Sequence, residues 1–137
     1  MKFVDASVFV HAFIRPKREL KPHEVKIKQA AQKIVKRINE GEKIAISVVN
    51  LTEIANLLEA YMSLDEALVI EEFLIRNAKL VTVNKQQYFE AIKIAKEKRV
   101  GLNDALTYVI MLKNKIYEIY SFDKDFDKLE GIKRIYE

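Results

Sequence analysis

The sequence predicts an α/β fold with three layers, α/β/α, in which a mainly parallel central sheet of about five strands lies between helices. Short β-prone segments alternate with longer amphipathic segments, which is the order expected of parallel strands joined by crossover helices. No linker, repeat or low-complexity stretch interrupts this alternation, and a length of 137 residues suits one domain. We therefore expect a single domain over residues 1–137.

The N-terminal third of the chain predicts two strands and two helices. Residues 2–4 form a short apolar strand, and apolar residues spaced four apart predict a helix over 7–13. Residues 15–22 hold both prolines and many charges, which indicates a surface loop. A long helix with one apolar face follows over 23–39, and residues 43–47 form the second strand.

Helix-capping signals mark the elements in the middle of the chain. Asn50 is predicted to cap a helix that ends near residue 61. Ser63 and Asn84 each stand three residues before a Glu or Gln, and these capping boxes predict helices that end near residues 77 and 99. The β-branched segment 79–83 predicts a strand between those two helices.

The C-terminal part of the chain predicts one more helix and two more strands. Asn103 opens a helix over 104–114. The apolar segment 116–122 contains a strand, residues 123–129 form a turn or a single helical turn, and 132–136 form the last strand. The chain therefore has about five strands and six helices in β-α order.

The composition excludes several classes of protein and of metal site. Half of the residues are hydrophobic and 32% are charged, which argues against a disordered chain. Without cysteine there is no disulfide, thiolate metal site or cysteine nucleophile. Two histidines, His11 and His23, are too few for a three-histidine zinc site within one chain. Oxygen ligands must therefore hold any metal, which favours Mg²⁺ or Mn²⁺.

The charge and hydropathy of the chain point to a cytoplasmic protein without a membrane partner. A formal net charge of +4 permits an anionic partner such as nucleic acid but does not require one. No apolar run approaches the roughly 18 residues that cross a bilayer. The apolar N-terminal segment is short and is interrupted by Asp5, so it does not resemble a signal peptide.

Acidic residues follow the predicted strands. Asp5 follows the first strand, Glu53 lies in the first turn of the helix after the second strand, and Asp123 follows a late strand. Because the carboxyl ends of parallel strands share one edge with the helix starts that follow them, we expect these three side chains to converge. Asp104 opens a later helix, and the β-α rule does not force it to the same edge.

Four ionised carboxylates in one place require a neutralising partner. Each pair at ~4 Å costs about 4 kcal/mol at an effective dielectric constant of ~20. One or two Mg²⁺ or Mn²⁺ ions would relieve this repulsion, activate a water and stabilise charge on a phosphoryl oxygen. Phosphodiester hydrolysis is therefore the chemistry that suits the site. The alternative is structural, since helix dipoles favour acids in a first turn and Asn50 with Glu53 fits a capping box.

Each hydroxyl and basic residue near the acids has either a functional role at the site or an ordinary structural role. Ser7 and Ser121 could orient a carboxylate or a water, or could cap a helix or turn. Asp125 is either a helper of the acidic site or a solvated turn residue. The basic stretch Arg15–Lys28 could follow a phosphate backbone or belong to a solvated loop and helix face. Its candidates for substrate binding are Arg15, Lys17 and Arg18. His11 is left outside the predicted site.

Four segments of the sequence resemble, in order, the motifs of PIN-domain nucleases. The first is an apolar strand that ends in an acid, the second a helix with a metal-binding Glu, the third an Asp that opens a helix, and the fourth an Asp with Ser two places before it. These segments are Phe3–Phe9, Ile46–Ile54, Asn103–Leu106 and Ser121–Phe126. The resemblance implies a three-layer α/β fold and Mg²⁺- or Mn²⁺-dependent cleavage of RNA.

The resemblance assigns metal binding and catalysis to four acidic residues of this chain. It also implies that Ser7 and Ser121 are supporting hydroxyls. The quartet is Asp5, Glu53, Asp104 and Asp123. The length is similar to that of stand-alone VapC-type toxins of VapBC toxin–antitoxin pairs, which implies a homodimer and a small antitoxin partner. A PIN nuclease of RNA maturation or quality control, and a non-catalytic PIN-like RNA-binding or assembly module, remain alternatives. The largely apolar helix near 64–76 is either a dimer surface or a helix wedged against neighbours.

Overall fold

The central sheet has five strands, all parallel, in the spatial order β3-β2-β1-β4-β5. A computed structural model describes residues 1–137. The strands are β1 (Lys2–Val4), β2 (Ile44–Ser47), β3 (Ala78–Val81), β4 (Glu118–Tyr120) and β5 (Lys133–Ile135). The predicted parallel sheet is therefore confirmed, with outer strands shorter than the sequence pattern indicated.

Six α-helices cover the two faces of the sheet. They are α1 (Ala6–Phe13), α2 (Pro22–Asn39), α3 (Val48–Tyr61), α4 (Leu64–Asn77), α5 (Lys85–Lys98) and α6 (Leu102–Lys113). The turn predicted after β4 is a 3₁₀ helix, Lys124–Lys128. None of these helices combines the length and the apolar character that a membrane crossing needs.

Two hydrophobic cores lie on opposite faces of the sheet. Successive strand residues point to opposite faces, so Phe3 and Ile119 pack into the core beneath α5 and α6. Val4 and Tyr120 pack into the other core, beneath α1 to α4. This alternation produces the predicted α/β/α layers.

Two helix starts differ from the sequence-based prediction. The Ser47 hydroxyl caps α3 by accepting the backbone N–H of Asn50, so the helix begins at Val48 and Asn50 lies within its first turn. Asn50 is therefore not the cap, and the predicted capping box with Glu53 is wrong. Likewise α6 begins at Leu102 after Gly101 and has no side-chain cap, so Asn103 does not open it.

The strand order places a crevice between β1 and β4. The chain leaves β1 toward β2 and β3 on one side, and β4 and β5 add on the other side. In open α/β sheets, ligands bind outside the carboxyl ends of the strands at such a switch point. Val4 is in register with Tyr120, and hence the next residues, Asp5 and Ser121, are neighbours at that point.

Candidate active site

A cleft of about 200 Å³ opens beside the carboxyl ends of β1 and β4. All four predicted acids line it, together with Ser7. The acids are Asp5, Glu53, Asp104 and Asp123. They come from the start of α1, the second turn of α3, the first turn of α6 and the segment after β4. The fold therefore brings together three acids that follow strands and one, Asp104, that does not.

Asp5 is the most enclosed of the four acids, with 7% of its surface exposed. Its Oδ2 accepts hydrogen bonds from the Ser7 hydroxyl at 2.6 Å and the Ser121 hydroxyl at 2.9 Å. Burial raises the pKa of Asp5, and these two hydrogen bonds oppose that rise because they favour the ionised form. The hydroxyl pair therefore holds this carboxylate in one orientation.

The two serine hydroxyls also fix the chain segment that follows β4. Ser7 Oγ accepts the backbone N–H of Phe122 at 3.1 Å, and Ser121 Oγ accepts the backbone N–H of Asp123 at 3.0 Å. Each hydroxyl thus donates to Asp5 and accepts from the backbone next to the Asp123 side chain. The two serines therefore position Asp5 and Asp123 relative to each other.

The pKa of Asp104 is also strongly raised. Burial, followed by the negative charges of Asp123, Asp5 and Asp125, raises the pKa of Asp104 to about 7. Carboxylate oxygens of Asp104, Asp123 and Asp125 all lie within 4.8 Å of one another. This crowding is the predicted repulsion, and a bound proton or a cation relieves it.

Asp125 belongs to the edge of this acidic group. Its backbone N–H donates to Asp123 Oδ1 at 2.9 Å, so Asp123 caps the 3₁₀ helix. The Asp125 carboxylate lies 3.1 Å from Lys128 Nζ, which partly neutralises it. Asp125 therefore lies close enough to Asp104 and Asp123 to share a metal ion with them, although it does not line the cleft itself.

Glu53 is half-buried and has no hydrogen-bonding role in the start of α3. Burial, and then the charge of Asp5, raise the pKa of Glu53. Its neighbours in the cleft are oxygen donors without sulfur, and a ligand set of carboxylate oxygens suits a hard divalent cation. The residues present therefore fit Mg²⁺ or Mn²⁺.

Three further residues of the cleft lie outside the site predicted from the sequence. Asn50 is buried, and its Oδ1 accepts hydrogen bonds from the hydroxyls of Ser47 and Thr107. Thr107 is also buried and lines the cleft, and His11 lies at its rim. The sequence could place Asn50 in the cleft only if α3 were known to begin at Val48. A residue that caps a helix and a residue in its first turn point in different directions.

The basic residues of the α1–α2 loop do not line the cleft. Arg15 and Lys17 are exposed. Arg18 makes a two-pronged ion pair with Glu24, at 2.8 and 2.7 Å, which occupies its guanidinium edge. The predicted substrate contacts thus lie outside the acidic cleft, and of the three only Arg18 lines the second cavity beside it.

Comparison with known proteins identifies a matching family and several solved structures with a similar fold. The family model of the PIN domain matches residues 2–132. A search of curated proteins finds no match.

Three solved structures share the fold over nearly the whole chain. VapC20 of Mycobacterium tuberculosis, a toxin that cleaves the sarcin-ricin loop, is 19% identical with a TM-score of 0.69, covering 96% of this chain and 97% of its own. A protein of Pyrobaculum aerophilum is 19% identical, with a TM-score of 0.65 and coverages of 97% and 82%. VapBC2 of Rickettsia felis, bound to a DNA fragment from their promoter, is 12% identical, with a TM-score of 0.68 and coverages of 98% and 96%. At these identities the likeness establishes the fold.

Proposed function

Because the chain belongs to the PIN-domain family, we propose that it is a metal-dependent endoribonuclease that hydrolyses RNA phosphodiester bonds. The observation that carries this proposal is the convergence of four carboxylates in one cleft, one of which, Asp104, has a pKa raised to about 7. Such crowding destabilises the protein unless the site serves a ligand that neutralises it.

In this proposal the acidic quartet forms the metal-binding and catalytic site. Asp5, Asp104 and Asp123 would hold Mg²⁺ or Mn²⁺, and Glu53 would bind the ion or orient the attacking water. When bound, the ion supplies an activated water at neutral pH and stabilises charge on a phosphoryl oxygen. Ser7 and Ser121 keep the Asp5 carboxylate in position by their hydrogen bonds.

We further propose that the protein acts in the cytoplasm as the toxin of a type II toxin–antitoxin pair, as a homodimer with a small antitoxin. The similar fold of VapC20, a toxin, and of VapBC2, a complex bound to promoter DNA, supports this assignment. The exposed apolar side chains of α4, which include Leu68 and Val69, support a dimer surface.

The first test of the nuclease proposal is an RNA cleavage assay with Mg²⁺, with Mn²⁺ and with EDTA. We expect cleavage that requires the metal and that falls by at least about 100-fold in Asp5→Asn, because a first ligand of the ion is weakened. Asp65→Asn is the matched control, since Asp65 is an exposed aspartate on α4 away from the cleft. Cleavage by Asp5→Asn at the parent rate would refute the site.

Metal-binding calorimetry separates an enzyme from a non-catalytic RNA-binding module. We expect saturable binding of Mn²⁺ to the parent chain and weaker binding to Asp5→Asn. If the chain binds RNA equally well with and without EDTA and takes up no metal, the module is the correct function.

Expression of the protein in a bacterial host tests the toxin assignment. We expect growth arrest with the parent chain and normal growth with Asp5→Asn at equal protein levels. Normal growth with both proteins, combined with metal-dependent cleavage in vitro, would favour a nuclease of RNA maturation.

A further inference from the structure

A second cavity, of about 410 Å³, adjoins the acidic cleft. We refer to it as the α1–α2 pocket, because it lies between the end of α1, the following loop and the start of α2. It shares two wall residues with the cleft, Val10 and His11. Its apolar side chains are Val10, Ile14, Leu20 and Ile27. The volume falls in the range of roughly 300–1,000 Å³ that small-molecule sites occupy.

Two cations border the apolar side chains of the α1–α2 pocket. The Arg18 guanidinium donates two hydrogen bonds to the Glu24 carboxylate. Lys28 Nζ donates to the backbone carbonyls of His11 at 2.8 Å and Ile14 at 2.9 Å, at the carboxyl end of α1. With Glu24 engaged by Arg18, the wall keeps a positive charge at Lys28, in contrast to the acidic cleft next to it.

Both histidines of the chain line the α1–α2 pocket. The His11 ring packs edge-on against Phe122, with centroids 5.5 Å apart, which fixes its plane. Burial, and then the charge of Lys28, lower the pKa of His11, which favours the neutral imidazole. A neutral imidazole offers one donor, one acceptor and a flat face.

We propose that the α1–α2 pocket binds the nucleotide that adjoins the scissile phosphate, with its base against the imidazoles and the apolar side chains. This inference rests on the proposed nuclease function. Bases stack on histidine rings and arginine planes, and a neighbouring ammonium group attracts the backbone phosphate. Continuity with the cleft through Val10 and His11 lets one RNA strand occupy both cavities. The pocket thereby gives the nuclease a preference for the base beside the cut.

Nuclear magnetic resonance of the imidazole C–H groups tests the pocket directly, because the chain has only two histidines. The full chain is titrated separately with AMP, GMP, CMP and UMP, first in EDTA and then in Mg²⁺. We expect both histidine signals to shift saturably, more strongly with one base than with the others. A shift of His11 alone that appears only with Mg²⁺ would place the nucleotide in the acidic cleft and overturn the proposal. Failure of both signals to move would also overturn it.

Cleavage kinetics provide the second test. His23 lines the α1–α2 pocket but not the acidic cleft, so His23→Ala should raise KM for RNA by about tenfold, the scale of one lost stacking contact, with kcat little changed. Lys26→Ala is the control, because Lys26 is an exposed cation of α2 that does not line the pocket. Equal KM values for the two variants would contradict the proposal.

The two experiments keep the failure of this inference distinct from failure of the nuclease proposal. Nucleotide binding in EDTA needs no catalysis, so shifts of both histidines support the pocket even in a chain that cuts no RNA. Conversely, metal-dependent cleavage with no histidine response and an unchanged KM in His23→Ala would leave the nuclease and remove the pocket.

Discussion

At the scale of single residues, the Ser121 hydroxyl is the connection between the two acids at the switch point. It is fully buried, donates to Asp5 and accepts the backbone N–H of Asp123. Ser121→Ala would leave that N–H without its partner and remove one donor from a buried carboxylate. We expect a loss of about 1–3 kcal/mol in the free energy of unfolding and a metal affinity weaker by about 10- to 100-fold.

Urea unfolding and metal titration of Ser121→Ala check this expectation. Thr52→Ala is the control, because the Thr52 hydroxyl bonds only to the Val48 carbonyl on the exposed side of α3. We expect that variant to keep the parent metal affinity. A Ser121→Ala protein with parent stability and parent metal affinity would show that the hydroxyl has no positioning role.

The sequence predicted the acids of the cleft better than their surroundings. Asp5 and Asp123 follow strands, so the β-α rule alone places them at one edge. Asn50 and Thr107 are internal to helices, and their contact depends on how α3 and α6 pack together. Such a contact between residues far apart in the chain leaves no local pattern in the sequence.

At the scale of secondary-structure elements, α3 and α4 meet at an acidic contact. Glu71 of α4 has one buried carboxylate oxygen without a hydrogen-bond partner. Burial, and then the neighbouring Glu59 of α3, raise the pKa of Glu71. The folded state therefore favours the protonated group, and the stability that this group contributes is lost as pH rises through its folded pKa.

Substitution of Glu71 by Gln tests this contact between α3 and α4. Glu71→Gln mimics the protonated acid, so we expect a higher melting temperature than the parent at pH 7.5. Near pH 4, below the ordinary pKa of a glutamate, the difference should shrink because the parent is then protonated as well. Thermal melts across this range check it, with Glu97→Gln on the exposed side of α5 as a control. A constant difference at all pH values would contradict the explanation.

The boundaries of the elements show where sequence patterns lose resolution. Val48 and Val49 are β-branched and continue the pattern of β2, but the Ser47 cap turns them into the first turn of α3. Pairing likewise sets the length of β4 within the apolar segment 116–122, because only three of its residues have a partner in β5. The element types were predictable, whereas caps and pairing set their ends.

At the scale of the whole molecule, the strand order determines the site. β-α alternation predicted a parallel sheet, yet nothing in the local pattern specified that β1 lies between β2 and β4. That order makes Asp5 and Ser121 neighbours across the switch point. Asp104 reaches the cleft only because α6 packs against α5 on one face of the sheet, which is a property of the tertiary fold.

The exposed face of α4 leads to a prediction about the oligomeric state. Leu64, Leu68 and Ile75 lie along one side of α4, and each is about half exposed or more. We expect the proposed dimer to bury this face, so light scattering should give about twice the 16.0 kDa chain mass. Leu68→Lys should shift the mass toward that of one chain, whereas Tyr117→Lys, a change at an exposed aromatic residue elsewhere, should not. A parent protein with the mass of one chain would exclude this dimer.

Repulsion among the acids of the cleft lowers the stability of the folded protein, and a bound metal ion would restore it. Asp104→Asn replaces a carboxylate of a crowded acidic group with a neutral amide, so above the raised pKa of about 7 the metal-free variant should melt at a higher temperature than the parent. A metal that binds only the folded state adds about 2.7 kcal/mol at one hundred times its Kd. We expect the parent to gain melting temperature on addition of Mn²⁺ and Asp104→Asn to gain much less. Melts of both proteins with Mn²⁺ and with EDTA measure the two effects, with Asp65→Asn as the control. If Asp104→Asn were less stable than the parent in EDTA, or gained as much from Mn²⁺, the acids would be structural and the site would not be a metal centre.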